Sequence, residues 1–498
     1  MASDSVSRDL LAVLRIYWSL LLGNIVEWYE YAIYGHLASS LEKNFFKGSA
    51  IGLWLGFGVT FLARPLGGIV LGVVGDRWGR STAVNISIVG MLVGTVGQGC
   101  LPTPINGAEW LGDLGLVLLV VLRFIQGLSA AGEIVTITTF LTEVCSPRML
   151  CRGVSLIAMT VNLGFLSAKA VTFIVEAAFG AEAVEQWAWR VPFWLAIIPG
   201  MIAIMGRRHV PESGMFLEMK EKLQALPEQE TFVSKLKQTV TEYWLNMLVG
   251  MGGVCAFATL QYSCFVWTQS FLASHGMSPN DRMIVGLLAR LTQTALNFFC
   301  GWAGDIFGVG SVMLVGTLAT MVASVPLWSV MLHHAASLTP VALAFGVGLG
   351  CLGSVMTTLP YYFVVELFPT HVRNTAVGIS YNLGFAVFGG LSPLMAEVLF
   401  AQTHLGPGLL WCAACGVTAF SILAGMLCQR AGLLKMAHVR RTPYFGSQRD
   451  GALRVVESKS VATKNLGYDV EKSCSGNPEG SDWSTEASST SGNINVAV

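Results

Sequence analysis

The sequence predicts an all-α membrane protein with twelve transmembrane helices, built as two six-helix pseudo-repeats. Three observations predict it. Only 60 of 498 residues are charged, 12%, against roughly 25% in a soluble globular protein. Apolar runs of about 20 residues, the length a helix needs to cross the hydrocarbon core, recur along the whole chain. The same landmarks also appear twice, once in each half. Hydrophobic residues make up 53% and mean hydropathy is +0.60. A body of this size in water needs a charged skin, which this composition cannot supply. Disordered, collagenous and disulfide-framework proteins are excluded, and a soluble enzyme is disfavoured. The balance of 30 basic and 30 acidic residues leaves no basic excess for nucleic acid.

The N-terminus (1–14), polar from Met1 to Asp9, precedes a first apolar run that lacks the small-residue cleavage pattern of a signal peptide. Spans then follow at 15–40, 50–74, 82–101, 113–140, 153–178 and 189–206, joined by short connections. The stretch 207–243 is polar, with Glu218, Lys220, Glu221 and Lys222, and reads as a central loop between two bundles, 15–206 and 244–428. The second bundle has spans at 244–272, 283–303, 311–333, 339–366, 375–400 and 408–428. The tail 429–498 turns rich in Ser, Gly, Asn and Thr, and most of it is expected to be disordered for want of apolar residues. The eleven cysteines lie mostly in apolar runs, where Cys packs as a small hydrophobe. Cys412 and Cys415 lack the second pair a metal site needs. No metal or cofactor is expected.

Orientation follows from Lys and Arg placement. With the N-terminus inside, Lys43, Lys47, Arg190 and Arg282 lie outside, and Arg64, Arg123, Lys169 and Arg290 lie within spans. The other basic residues fall inside. Both termini are therefore expected in the cytoplasm, in agreement with an even number of spans.

The halves share two landmarks. Gly72-Val73-Val74-Gly75-Asp76-Arg77-Trp78-Gly79-Arg80 after the second span is matched by Gly301-Trp302-Ala303-Gly304-Asp305-Ile306-Phe307-Gly308-Val309 after the eighth. Glu143, Pro147, Arg152 and Asn162-Leu163-Gly164-Phe165 are matched by Glu366, Pro369, Arg373 and Asn382-Leu383-Gly384-Phe385. Such parallel repeats place a substrate site at their interface near mid-membrane. Asp76, Arg77, Gly79 and Arg80, with Glu143, Arg152, Asp305, Glu366 and Arg373, are read as a cytoplasmic gate whose ion pairs break when the halves rock. Simple topological anchoring by Arg77 and Arg80 would not require the aspartate or the glycines. The second loop lacks both basic positions (Ile306, Val309), so its half of the gate is expected to be weaker.

Charges inside spans are expensive and usually functional. Glu27 and Glu30 lie three apart on one helix face, with Tyr31 and Tyr34 on the same side. Either of them, or Glu133, is a candidate to carry a coupling proton; the alternative is an ion pair with Arg64 or Arg123 that holds helices together. Arg123, Gln126, Ala130 and Glu133 form one stripe, and Arg123 offers a planar fork for a carboxylate of substrate or helix. Asn162 and Lys169 share a face of the fifth span. Lys169 could bind an anionic substrate, replace the coupling proton, or pair with a glutamate. Arg290, Gln293 and Asn297 form a further stripe, read either as substrate contacts or as helix-pairing glue. Trp28, Tyr31, Tyr34, Tyr262, Trp267, Tyr361 and Tyr362 could line a cavity suited to a quaternary amine, although most such residues are packing. Asn382 joins the candidate contacts. Gly346, Gly350 and Ser354 have the spacing of close helix packing.

The loop resembles the signature of the major facilitator superfamily. Gly23-Asn24-Ile25-Val26-Glu27-Trp28-Tyr29-Glu30-Tyr31-Ala32-Ile33-Tyr34-Gly35 resembles the metabolite:proton symporter branch. So do Arg64-Pro65-Leu66-Gly67-Gly68, Arg123-Phe124-Ile125-Gln126-Gly127 with Gly132-Glu133, Glu366-Leu367-Phe368-Pro369 through Arg373, and Tyr381-Asn382-Leu383-Gly384 with Phe388-Gly389-Gly390. The similarity covers about residues 15–430. It implies the major facilitator fold and proton-coupled uptake of a small polar metabolite, of the proline/betaine, α-ketoglutarate, citrate or shikimate kind, by alternating access. Three positions depart from the branch. Glu30 stands where it usually has Asp, Ala131-Gly132-Glu133 replaces Gly-Gly-Glu, and Lys169 occupies a position that is more often uncharged.

The expected function is thus proton symport of a carboxylate-bearing or zwitterionic metabolite by a monomer in the plasma membrane, its partners being substrate, protons and lipid. The alternatives are a uniporter in which Lys169 neutralises the glutamates, and a sensor that signals through its tail. No nucleophile–base pair or cofactor loop suggests an enzyme.

Overall fold

The computed structural model describes residues 2–103, 109–145, 149–207 and 232–434. Among these residues twelve long helices form and no strand. In chain order they are α1 (Ala2–His36), α2 (Ala50–Trp78), α3 (Arg80–Gly99), α4 (Glu109–Val144), α5 (Leu150–Phe179), α6 (Arg190–Arg207), α7 (Leu236–Ser274), α8 (Pro279–Phe307), α9 (Val309–His333), α10 (Leu338–Glu366), α11 (Arg373–Gln402) and α12 (Gly406–Arg430). Each expected span coincides with one helix. Eleven are long and apolar enough to cross a membrane. The exception is α1, whose centre holds Asn24, Glu27 and Glu30.

The helices extend beyond the apolar runs at several ends. The backbone is helical from Ala2 and again from Phe232, inside stretches expected as N-terminus and central loop. Both leading segments break at a tyrosine, Tyr17 (φ −108°, ψ 16°) and Tyr243 (φ −114°, ψ 19°), before the span proper. Hydropathy cannot register such segments, because a helix without a long apolar run gives it no signal. The remainder of the central stretch and nearly all of the tail lie outside the described residues.

Local chemistry sets several boundaries. Ser49 Oγ accepts from Gly52 N at 3.1 Å and caps α2. Ser278 does the same for Asp281 N (3.1 Å), with Pro279 in the first turn of α8, where its missing N–H costs nothing. The α2–α3 and α8–α9 turns pass through Gly79 (φ 114°) and Gly308 (φ 88°). A side chain at either would be strained, so the duplicated motif repeats its glycine for a geometric reason.

Two helix pairs bring the halves together: α2 packs on α11, and α5 on α8. Gly68 and Gly378 face one another in the first pair, and a Cβ at either would strike the other's carbonyl. Gly346 and Gly350 let α10 approach Leu288 and Thr292 of α8, the close packing their spacing suggested. Large apolar side chains such as Leu62, Val315, Val322 and Phe420 are exposed on the flanks, as on a surface that meets lipid.

Candidate functional site

The polar side chains of the spans converge where the halves meet, in two clusters. The first is built by α1, α2 and α4. Arg64 is fully buried; its Nη2 lies 3.4 Å from Glu27 Oε1, its Nη1 donates to Tyr31 Oη at 3.3 Å, and its Nε donates to Asn382 Oδ1 at 3.1 Å. Asn382 belongs to α11, so this arginine bridges the halves. Asn382 Nδ2 in turn donates to the Ala131 carbonyl at 3.1 Å. The guanidinium also lies 5.5 Å from the Tyr31 ring centre and 5.6 Å from that of Phe385.

Glu30 sits deeper in α4's shadow. Gln126 Nε2 donates to Glu30 Oε2 (3.1 Å) and to Thr95 Oγ1 (3.0 Å), while Arg123 Nη1 donates to Gln126 Oε1 (2.9 Å). Gln126 therefore separates Arg123 from Glu30. Arg123 lies over the face of Tyr34, 4.1 Å from its centre, and the Tyr34 hydroxyl turns away to the Leu53 carbonyl (3.0 Å). Glu27 Oε2, Glu30 Oε1, Arg123 Nε and Arg123 Nη2 have no partner among the described residues. Buried polar atoms are nearly always paired, so these four stand out as two acceptors and two donors left open side by side in one cluster.

Glu133 has a different environment. Arg207, at the end of α6, clamps it through both Nη atoms and donates to the Val84 carbonyl at 2.8 Å. Arg207 is 2% exposed, although charge placement alone put it in an inner loop.

The second cluster surrounds Arg290 of α8. Its Nη1 donates to three amide oxygens: Gln293 Oε1 (3.1 Å), Asn162 Oδ1 (3.2 Å) and Gln261 Oε1 (3.3 Å). Its guanidinium lies 4.0 Å from the Phe165 ring centre and 4.9 Å from that of Phe265. Lys169 is half-buried and donates to the Arg282 carbonyl (3.2 Å) and Gln269 Oε1 (3.4 Å). It borders a cavity of about 970 Å³ at the end of the helices that carries Lys43 and Glu185, and a small chamber of about 30 Å³ that reaches Arg290. Lys169 bonds to no glutamate of α1 among the described residues and borders both spaces. Trp28 stands between the clusters, 5.8 Å from Phe165 and 6.4 Å from Tyr262 by ring centres. Tyr361 is stacked on Tyr381 at 6.1 Å, away from both arginines' hydrogen bonds.

At the opposite end the halves exchange reciprocal caps. Asp76 Oδ2 accepts from Thr375 N (2.9 Å) and Thr375 Oγ1 (2.7 Å) at the start of α11. Asp305 Oδ1 accepts from Cys151 N (2.9 Å), and its Oδ2 from Arg152 N (3.3 Å) and Arg152 Nε (2.8 Å), at the start of α5. Each half thus places a carboxylate on a helix N-terminus of the other, where the dipole favours it. Losing the basic positions in the second loop does not cost Asp305 its partners. Arg373 Nη1 lies 3.5 Å from Glu143 Oε1, again across the halves. Glu366 is buried in the same layer of sequence landmarks. Arg77 is exposed, and the Arg80 side chain and Arg148 lie outside the described set.

Sequence reasoning missed Arg207, Gln261, Gln269, Thr95 and Thr375. Of these only Arg207 and the two glutamines carry any signal, as polar residues beside apolar runs; threonine in a span gives none.

Residues 18–228 match the family model of sugar (and other) transporters. The chain is 30% identical over 457 residues to the ectoine/proline transporter ProP of Corynebacterium glutamicum, covering 89% of this chain and 86% of that protein. It is 28% identical over 395 residues to the proline/betaine transporter of Escherichia coli K12, 77% of each. It resembles to the same degree the glycine betaine/proline/ectoine/pipecolic acid transporter OusA of Dickeya dadantii. A solved structure of the proton:xylose symporter XylE, a major facilitator superfamily protein, superposes with a TM-score of 0.67 at 16% identity, over 84% of this chain and 96% of that one. This last likeness is one of fold.

Proposed function

Because the chain belongs to the major facilitator superfamily, in its metabolite:proton symporter branch, we propose that it couples a proton to the import of a proline- or betaine-type zwitterion. It does so by alternating access, as a monomer in the plasma membrane with both termini cytoplasmic. The bundles 15–206 and 244–428 are the rocking units. The observation that carries this reading is the buried chain Glu27–Arg64–Asn382. An acid that can be protonated is wired, through one arginine, to a helix of the opposite half.

Protonating Glu27 removes its hold on Arg64, and the arginine's cross-half bond then competes with other acceptors. Glu30 is the second proton candidate, since one of its oxygens has no partner among the described residues. Glu133 serves better as a structural pair with Arg207. Arg123, Gln126, Tyr31 and Tyr34 form the substrate-contacting wall of the first half. Names of similar proteins support the substrate class, and the excess of Lys and Arg in one set of loops supports the orientation.

Uptake by proteoliposomes of proline, betaine, α-ketoglutarate, citrate, shikimate and monocarboxylates, with and without an inward proton gradient, tests the proposal. Uptake of a zwitterion that collapses with protonophore is expected. Uptake indifferent to protonophore would favour uniport instead, but Lys169 lacks the glutamate contact that reading relies on.

A further inference from the structure

We propose that the Arg290 cluster, with Lys169 at its mouth, is a binding site for the substrate's carboxylate, separate from the Glu27–Arg64 and Glu30–Arg123 cluster. This rests on the transport reading above and names which end of the molecule goes where.

The warrant is the polarity of the orphaned atoms. Arg290 has donors only and is 6% exposed. It makes three bonds to amide oxygens, which leaves the amide nitrogens of Asn162, Gln261 and Gln293 on the sides away from the guanidinium, that of Gln293 against Gly353. Among the described residues Asn162 Nδ2, Gln261 Nε2, Gln293 Nε2, Arg290 Nη2 and Gln269 Nε2 have no partner, and of these residues Arg290 and Gln269 line the small chamber. Every one is a donor. An ammonium or quaternary amine finds no acceptor in such a place, whereas a carboxylate offers about four lone-pair sites. Charge agrees. Arg64 and Arg207 each face a glutamate, while Arg290 and Lys169 face no carboxylate among the described residues. A buried guanidinium with only neutral partners is costly unless an anion completes it.

Placement agrees as well. The small chamber shares Lys169, His36 and Gln269 with the large cavity and ends at Arg290. An incoming anion therefore meets Lys169 first. The other cluster, beyond Trp28, holds the orphaned acceptors Glu27 Oε2 and Glu30 Oε1 beside the orphaned donors of Arg123, so of the two clusters only that one offers carboxylate oxygens to a zwitterion's cation, along the aromatic wall.

Full-length protein in detergent is tested by ligand-induced thermal stabilisation with matched probes. These are betaine against choline, proline against prolinamide, and trimethylacetate as a carboxylate without a cation. Betaine and proline should stabilise, their partners lacking the carboxylate should not, and trimethylacetate should compete. Arg290→Gln should abolish the effect. Lys169→Gln should raise the half-saturating concentration about tenfold, the loss of one charge-assisted contact. Gln293→Glu guards against misfolding of the first variant. It supplies Arg290 with its missing carboxylate at the same length, so the protein should fold and lose carboxylate binding. Choline or prolinamide binding as well as its partner overturns the proposal. So does wild-type carboxylate binding in Arg290→Gln or Gln293→Glu, or failure of every carboxylate probe to bind. If binding behaves as expected but uptake ignores the proton gradient, only the symport reading fails.

Discussion

Arg64 Nε donates to Asn382 Oδ1 at 3.1 Å while Arg64 Nη2 faces Glu27 Oε1 at 3.4 Å, so one buried guanidinium is shared between an acid of α1 and an amide of α11. The same side chain answers to the charge state of one half and the position of the other. Breaking either contact leaves a donor unsatisfied in a dry interior, at about 1–3 kcal/mol. This is enough to shift a balanced conformational equilibrium by roughly one to two orders of magnitude, since 1.4 kcal/mol is tenfold.

Glu27→Gln removes the titratable partner and keeps the shape. Uptake driven by a proton gradient should fall at least tenfold, while exchange of labelled for unlabelled substrate at equal pH should persist. Counterflow beside gradient-driven uptake in the same vesicles checks this. Gradient-driven uptake at the wild-type rate would assign the proton elsewhere.

Glu133→Gln should behave unlike it. Arg207 would be left as an unpaired buried cation, at about 3–5 kcal/mol, and the melting temperature in detergent should drop sharply. Replacing both members with leucine should recover much of the loss, because a well-packed apolar pair can match a buried ion pair. A single variant as stable as the wild type would contradict the pairing.

Asp76→Asn and Asp305→Asn weaken the reciprocal caps at one end of the helices. Each should open that end, raising the labelling rate of a cysteine placed at Val372 or at Met149, both buried beside the caps, by severalfold with a membrane-impermeant reagent applied from that side. Charge-assisted bonds of this kind are worth about 1.5–3 kcal/mol. Equal labelling in variant and parent would mean that these caps do not set the gate.

Gly68→Val places a branched side chain against the Gly378 carbonyl. The closed packing of α2 on α11 becomes impossible, so transport should cease while the variant still inserts and folds. Accessibility of the same two cysteine positions should rise to its maximum and stay there with substrate present.

The sequence made the fold readable because a bilayer forces backbone groups to be satisfied within each span, which turns topology into a one-dimensional pattern. The twelve expected spans each coincide with a helix, and the duplicated glycines at Gly79 and Gly308 marked matching turns. The leading segments before Tyr17 and Tyr243 escaped, being helical without being apolar. In the site, intramembrane charge picked out Glu27, Glu30, Glu133, Arg123, Lys169 and Arg290 as exceptional, but not whom each one faces. Glu133 found Arg207, a residue assigned to a loop, and Lys169 found a backbone carbonyl and an amide instead of a glutamate.

Composition and repeat pattern by themselves determined the number of spans, the duplication and the short list of buried charges, since each follows from the transfer cost of residues taken one at a time. Partner choice was decided only by the tertiary structure. Whether a buried arginine meets a glutamate, as Arg64 does, or only amides, as Arg290 does, depends on which helix faces lie within about 3 Å of each other, the reach of a hydrogen bond. That distance is set by packing between separate helices, across chain separations of 37 residues for Glu27 and Arg64 and 128 for Asn162 and Arg290.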